Sequence, residues 1–271
     1  MSTRLAVFAL LGSIVIVSGC GATNGGPSND SGESGAPPSP PPSRPAASSQ
    51  PSPAASLGLG PSTRPAASGV IDPAQFTSTV DNRWFPLVLG TRLAYQGTKD
   101  GKRAVETFTV TTTTKPIDGV TCVVTEDVLS LAGVATEKVI GYFAQDRDGS
   151  VWSFGEDDQE LDANGHVVST EGSWHAGVDK ALPALVMEGT PGVGHSFEHA
   201  ATKNDYAVLS LATAVKVPYG SYDDALVTRE WSPLEPDVET HKFYVPDVGV
   251  VRDVAVKGPT EELVLAKVEH P

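Results

Sequence analysis

The stretch "RAVETFTVTTTTKPIDGVTCVVTEDVLSL", Arg103 to Leu131, decides the fold class. In its first half Phe108 and Val110 oppose Thr107, Thr109 and Thr111, and in its second half Val120, Cys122 and Val124 oppose Thr121, Val123 and Thr125. A period of two is the signature of a strand with one drier face. Between the halves, Asp118-Gly119 supplies turn chemistry, and so short a connection forces the two strands to run antiparallel.

The same grammar continues outward in both directions. "RLAYQG" precedes the stretch across Lys99-Asp100-Gly101, and "TEKVIGYFAQD" and "SVWSFGE" follow it across Ala132-Gly133 and Asp148-Gly149. Further on come "HSFEHAAT", "YAVLSLATAVKV", "ALVTREW", "HKFYV", "GVVRDVAV" and "EELVLAKV", bounded again by Gly, Pro and Asp. The expected fold is all-β with minor α content, one long antiparallel meander. A sheet of roughly ten to twelve strands is too large to stay flat, so it should curl into a half-barrel or a barrel.

One segment breaks the alternation. "GSWHAGVDKALPALVMEGTPGVGH", Gly172 to His195, is apolar without being periodic, and reads as one apolar loop or short helix packed on the sheet. Asp179 could cap a helical turn running to Leu182, with Pro183 limiting it. Trp174, His175, Leu182, Leu185, Val186 and Met187 are the candidate ligand or lid residues: they either complete the second layer or gate a cavity. At the other end of the domain, in "NRWFPLVLGTRLAY", Pro86 sets an extended approach and Gly90 a tight turn, and Trp84 and Phe85 should plug one end of the sheet.

The chain begins with Arg4 and an apolar run from Leu5 to Val17 that ends in "VSGC". The run is shorter than the ~20 residues a spanning helix needs, and Ser18 and Gly19 sit where a cleavage site would, so it reads as a secretory signal. The tetrad resembles the lipobox of bacterial lipoproteins. That resemblance implies a signal peptide over 1–19, lipidation of Cys20 with acyl chains such as palmitate, and attachment to the membrane through that anchor. From 20 to 69 the text is Pro-, Ser- and Ala-rich and has no aromatic residue, which makes a disordered linker reaching roughly 40 to 150 Å. The remaining residues, 70–271, form a single β-rich extracytoplasmic domain.

Setting aside Arg4, Arg44 and Arg64, and Asp30 and Glu33, that domain holds 16 basic and 31 acidic residues, about −15 with neutral histidines. Such a balance excludes nucleic acid as a partner and disfavours docking on anionic lipid. With Cys20 lipidated, Cys122 stands alone, so no internal disulfide forms and the thiol is expected in the core. A monomer is expected, and no cofactor is implied.

Catalytic and metal patterns are sparse. His195 and His199 share a strand face but stand about 13 Å apart at ~3.3 Å per residue, "GSWHAG" is not a nucleophile elbow, and no phosphate-binding glycine loop occurs. "ELDANGHVVSTE" places Glu160, Asp162, Asn164, Gly165 and Glu171 on calcium-loop positions. Its flanks lack a helical stripe, however, and Asn164-Gly165 reads better as a type I′ hairpin turn. Those carboxylates remain a loose calcium candidate.

The blocks "NRWFPLVLGTRLAY", "YFAQDRDGSVWSFGE", "GSWHAGVDKALPALVM" and "WSPLEPDVETHKFY" resemble the signature blocks of a family of uncharacterised bacterial secreted proteins and lipoproteins. The resemblance implies export and a β-rich fold, and carries no activity. Three roles stay open. The first is a non-enzymatic cell-envelope lipoprotein binding an apolar or amphiphilic ligand or an envelope protein. The second is a structural module with a filled core, and the third a hydrolase using His175 or His199 with nearby carboxylates.

Overall fold

A computed structural model describes residues 71–199 and 204–271. The signal segment, Cys20 and the linker lie outside the described residues. After a 3₁₀ turn at Pro73–Gln75, fifteen strands follow in chain order. The first six are β1 (Phe76–Thr77), β2 (Arg92–Lys99), β3 (Lys102–Ile117), β4 (Val120–Leu131), β5 (Val134–Asp146) and β6 (Val151–Leu161). Four short ones come next: β7 (Val167–Ser169), β8 (Trp174–His175), β9 (Ala184–Met187) and β10 (Ser196–His199). The last five are β11 (Asn204–Val217), β12 (Gly220–Ser232), β13 (Glu235–Val245), β14 (Gly249–Lys257) and β15 (Glu261–Glu269). No α-helix occurs among the described residues.

All fifteen join one antiparallel sheet. Its main path runs β10-β11-β12-β13-β14-β15-β2-β3-β4-β5-β6-β7, with β1 on β5 and with β8 and β9 on β6. The meander is therefore cut in its middle. The last strand pairs with the second, Leu263 opposite Gly97 and Leu265 opposite Tyr95, so the two halves of the sequence meet at a central seam.

The sheet curls but does not close. One apolar cluster takes Leu93, Tyr95, Phe108 and Phe143 from the first half and Val208, Leu226, Tyr244 and Leu263 from the second, while the Tyr95 hydroxyl donates to the Val250 carbonyl at 2.9 Å. At the rim, the Trp174 ring meets the His199 ring at 5.6 Å. The ends thus touch through side chains without the strand pairing that would make a barrel, and of the two expected forms the open one holds.

Asn82 anchors the segment that covers one end of the curl. Its backbone N–H donates to Gln145, its side-chain amide to the carbonyls of Gly149 and Glu188, and its Oδ1 accepts from the N–H groups of Trp84 and Phe85. Phe85 is thereby held 5.8 Å from Phe143. The plug expected from the sequence is real, though Trp84 contributes only its partly buried edge.

Two local expectations fail. The helical turn from Asp179 to Leu182 does not form: Asp179 and Lys180 adopt φ of 49° and 64°, and the apolar residues beyond Pro183 become β9. The free edge of β6 offers backbone partners as well as burial, which a lone helical turn cannot. The hairpin between β6 and β7 forms, but not with a type I′ turn. The Gly165 N–H donates to the Asp162 carbonyl and the Asp162 N–H to the His166 carbonyl, and only Gly165 has positive φ, 81°. This is the three-residue loop with a left-handed glycine at its end. The Asp162 carboxylate, which accepts from the Asn164 and His166 amides, favours it by holding the turn from within.

Candidate functional site

One irregularity on β6 organises both faces of the sheet. Tyr142 lies opposite Gly155 but Phe143 lies opposite Ser153, so Phe154 is an extra residue in a β-bulge. Gly155 has φ of 143°, and a Cβ there would collide with the Trp174 carbonyl oxygen. Past the bulge the parity of β6 is reversed. Glu156 and Asp158 then stand opposite Gly141 and Val139 on the inner face, and Asp157 is turned outward.

The inner face divides in two. One half is the apolar cluster already described. In the other, each of β12, β13, β14, β15, β2, β3, β4, β5 and β6 contributes a buried ionisable side chain: Glu230, Lys242, Asp253, Glu261, Lys99, Glu106, Asp127, Glu137 and Asp158. Seven are acidic and two basic. Lys242 Nζ donates to Glu230 at 2.8 Å and lies 3.9 Å from Asp253, and Lys99 Nζ donates to Glu261 at 2.9 Å. Both lysines are thus engaged on the β12–β2 side.

On the β3–β6 side acid faces acid. Glu106 is 0% exposed; burial first, then the Asp127 charge, pushes its carboxyl well above the usual range. Burial likewise pushes Glu137 up to about 8 against the opposing pull of Lys99, Asp158 up to about 8 with the Glu156 and Asp157 charges adding to it, and Asp253 up to about 7 against the pull of Lys242. Burial pulls the Lys242 ammonium down, but Glu230 and Asp253 outweigh it and hold it well above its ordinary value. Glu137 Oε2 and Asp158 Oδ2 are buried and receive no hydrogen bond from the protein. A desolvated oxygen without a donor is costly.

A second cluster forms outside, where β8 lies along β6. His175 Nε2 is 2.9 Å from Asp157 Oδ1, close enough for charge attraction when the ring is protonated but at an angle that makes no hydrogen bond. The Tyr142 hydroxyl donates to Asp157, and Lys115 Nζ donates to Tyr142 at 3.0 Å. The residue beside His175 faces the other way: Trp174 donates its indole N–H to Glu156 at 2.9 Å and closes over His199. Burial pulls the His199 imidazole down to about 3, so it is neutral. His195 bonds Glu188 at 2.9 Å, apart from both clusters.

The remaining candidates scatter. Leu185 and Met187, on β9, are buried in the two different apolar clusters, Val186 packs at the edge of the first, and Leu182 is half-buried in the connection. Leu185, Val186 and Met187 thus belong to a strand paired on β6, and Leu182 precedes it. Asp162 is used by its own turn, and amide donation from His166 and Asn164 holds its carboxyl below the usual range. Glu160 is half-buried on β6, Asn164 and Glu171 are exposed, and among the described residues no three His, Cys, Asp or Glu side chains come together to hold a metal ion. Cys122 is buried, its thiol pushed up to about 12 by desolvation. A surface depression of about 440 Å³ beside Pro86, Val88 and Leu89 is also lined by Ser78, Thr79, Asp81 and Asp247.

No family model and no curated protein matches the sequence. Two solved structures are similar to it. One is a candidate exported protein with a YmcC-like fold from Bacteroides fragilis, 14% identical, covering 69% of this chain and 99% of that one at a TM-score of 0.39. The other is a candidate lipoprotein from Parabacteroides distasonis, 14% identical with the same coverage at a TM-score of 0.38. Among the described residues no helix is long and apolar enough to cross a membrane.

Proposed function

We propose that this chain is a lipid-anchored lipoprotein of the bacterial cell envelope that works as a binding body, with the polar half of the inner face as its ligand surface. The single observation carrying the reading is the pair of buried acceptors, Glu137 Oε2 and Asp158 Oδ2, that the protein itself leaves without a donor. A fold that only needed a filled core would hold apolar residues at those positions at less cost. The apolar half is packed by the chain's own side chains, so recognition of an amphiphilic ligand would fall to its polar end. The anchor is supported by the "VSGC" tetrad and by the linker after it, which would hold the domain away from the bilayer.

The outer cluster gives a hydrolase its strongest support, because His175 and a carboxylate do approach each other there. Catalysis would also need a nucleophile made more acidic by its surroundings. Burial first raises the Tyr142 phenol, and the hydrogen bond to Tyr142 first raises the Lys115 ammonium, so both groups are held more firmly protonated. That favours binding over chemistry.

Mass spectrometry of the mature protein, purified gently from its native envelope, tests the reading. A co-purifying small molecule that is lost in Glu137→Gln/Asp158→Asn is expected. Cys20→Ala should release the protein from membranes or stall its maturation. Empty parent protein, together with unchanged membrane fractionation of Cys20→Ala, would overturn both parts.

A further inference from the structure

The chain's own lysines show what the polar half is built to hold. On the β12–β2 side, an ammonium sits between Glu230 and Asp253 and another against Glu261. On the β3–β6 side the sheet offers the same kind of acceptor with no inward Lys or Arg on its own strands: Lys99 of β2, hydrogen-bonded to Glu261, is the cation that acts on Glu137, and Asp158 is faced by carboxylates alone. No Lys or Arg occupies the inward positions Ala104 to Val110 of β3, Val123 to Leu131 of β4, Glu137 to Phe143 of β5, or Glu156 and Asp158 of β6. The carboxylates there are spread rather than convergent. With strands about 4.8 Å apart, Glu106 on β3 and Asp158 on β6 are separated by three strand spacings, roughly 14 Å along the sheet. A single metal ion needs three or more ligands within about 2.5 Å of one point, and no described group provides that. A chain with amines spaced along it fits such a row.

We propose that the inner face of β3 to β6 binds an extended organic cation carrying two or more amines, with Glu137 and Asp158 as its acceptors. The inference rests on the binding reading above and names the ligand class for the same surface. Each ammonium would donate to the carboxylate oxygens that the protein leaves without donors, replacing an uncompensated buried acceptor by a charge-assisted hydrogen bond. Trp174, which ties Glu156 to the rim and closes over His199, would limit how far the ligand extends past β6.

Geometry and ionisation combine in the pH dependence. Glu137 is faced by Lys99 from β2, Asp127 from β4, Asp158 from β6 and Glu261 from β15, and Asp158 by Glu156 and Asp157 of its own strand. Both carboxyls are pushed up to about 8, so at pH 6 they are neutral and at pH 8.5 mostly ionised. A cation binds the ionised pair, so its binding drives protons off Glu137 and Asp158 into the buffer, and its affinity falls as pH falls.

Isothermal titration of the mature protein with spermidine reads this directly. At pH 8.5 saturable binding at one site per chain is expected, weakening at least tenfold at pH 6. Near pH 7, the apparent heat should change with the buffer's ionisation enthalpy in the sense of proton release. Glu137→Gln/Asp158→Asn should weaken binding at least tenfold and remove the proton release, while Glu262→Gln, a charge on the outer face paired with Arg252, should leave both unchanged. Thermal melts establish that each variant is folded. Spermidine binding that is absent, that the double variant leaves intact, or that Glu262→Gln weakens equally overturns the inference, as does calcium saturating the same residues in its place. If spermidine fails while the native protein still carries a molecule that the double variant loses, the cation class is wrong and the binding surface stands; if both fail, the binding reading falls too.

Discussion

The two halves of the inner face are made by the same strands and solve burial in opposite ways. In the apolar half, Leu93, Phe108, Leu226 and Leu263 fill the curl with side chains that need no partner. In the polar half of the same sheet, Glu106, Lys99 and Asp253 are buried just as deeply. Apolar burial contributes roughly 25 cal/mol per Å² whatever the neighbours, whereas a buried carboxylate is tolerated only if it is paired or protonated. The difference between the halves teaches where the molecule accepts cost. Stability comes from one half, and selectivity and pH sensitivity are concentrated in the other.

The most severe way to break this division is to remove the bulge that directs Glu156 and Asp158 inward. Gly155→Ala would drive a Cβ into the Trp174 carbonyl oxygen at a φ of 143°, and the strained contact together with lost β6–β8 pairing should cost about 4 kcal/mol or abolish folding. Urea denaturation checks it, and a variant as stable as the parent would show that β8 does not depend on the bulge.

Next comes the apolar half. Leu226→Ala, at a fully buried position on β12, should cost about 3 kcal/mol by lost transfer energy and the cavity left behind. The loss should be equal at pH 5 and pH 8, since no titrating group is removed. A loss that varied with pH would mean that the two halves are coupled more tightly than their separate side chains suggest.

The polar half should behave in the reverse manner. Glu137 has its folded-state pKa raised from 4.5 to about 8, so between those values the folded chain holds a proton that the unfolded chain has released. Its favourable contribution is therefore complete below about pH 4.5 and is lost as pH rises through 8. Glu137→Gln should be nearly neutral at pH 5 and should stabilise the protein by about 2 kcal/mol at pH 8.5, because the amide never ionises. Parallel melting curves for parent and variant across pH 5 to 8.5 would refute the assignment.

The strands were legible in the sequence because alternation at Phe108, Val110, Cys122 and their neighbours is a local property, and short turns force antiparallel pairing whatever the tertiary structure. The central seam was not, since nothing local in "EELVLAKV" says that it pairs with "RLAYQG". The polar half was missed for a different reason. Glu106 lies in register with Ala104, Phe108 and Val110, and Asp127 with Thr125 and Leu129, so a carboxylate sharing the dry parity was the available signal. On β6 even that signal was hidden, because the bulge reverses parity between Phe154 and Glu156. The loop from Gly172 to His195 was legible only as an apolar segment that either completes the second layer or gates a cavity, because its residues show no periodicity; the strand that four of them form on the open edge of β6 had no local signal.

The smallest expected effect lies at the far edge of the sheet and sharpens the comparison by standing outside both halves. Gly165 ends the β6–β7 turn at φ of 81°, and a Cβ added there would meet nothing within 4 Å, so steric contact is not at issue and only backbone strain remains. A β-branched residue avoids that region, and Gly165→Val should cost about 1 to 2 kcal/mol, with or without calcium. The loss should also be independent of pH between 5 and 8.5, because Asp162, the one carboxylate holding the turn, has its pKa lowered and stays ionised throughout. Thermal melts with and without calcium separate strain from a hidden metal loop. A calcium-dependent rise in melting temperature that Glu171→Gln removes would show the acidic turn acting as an ion site, and would move selectivity from the inner face to this exposed edge.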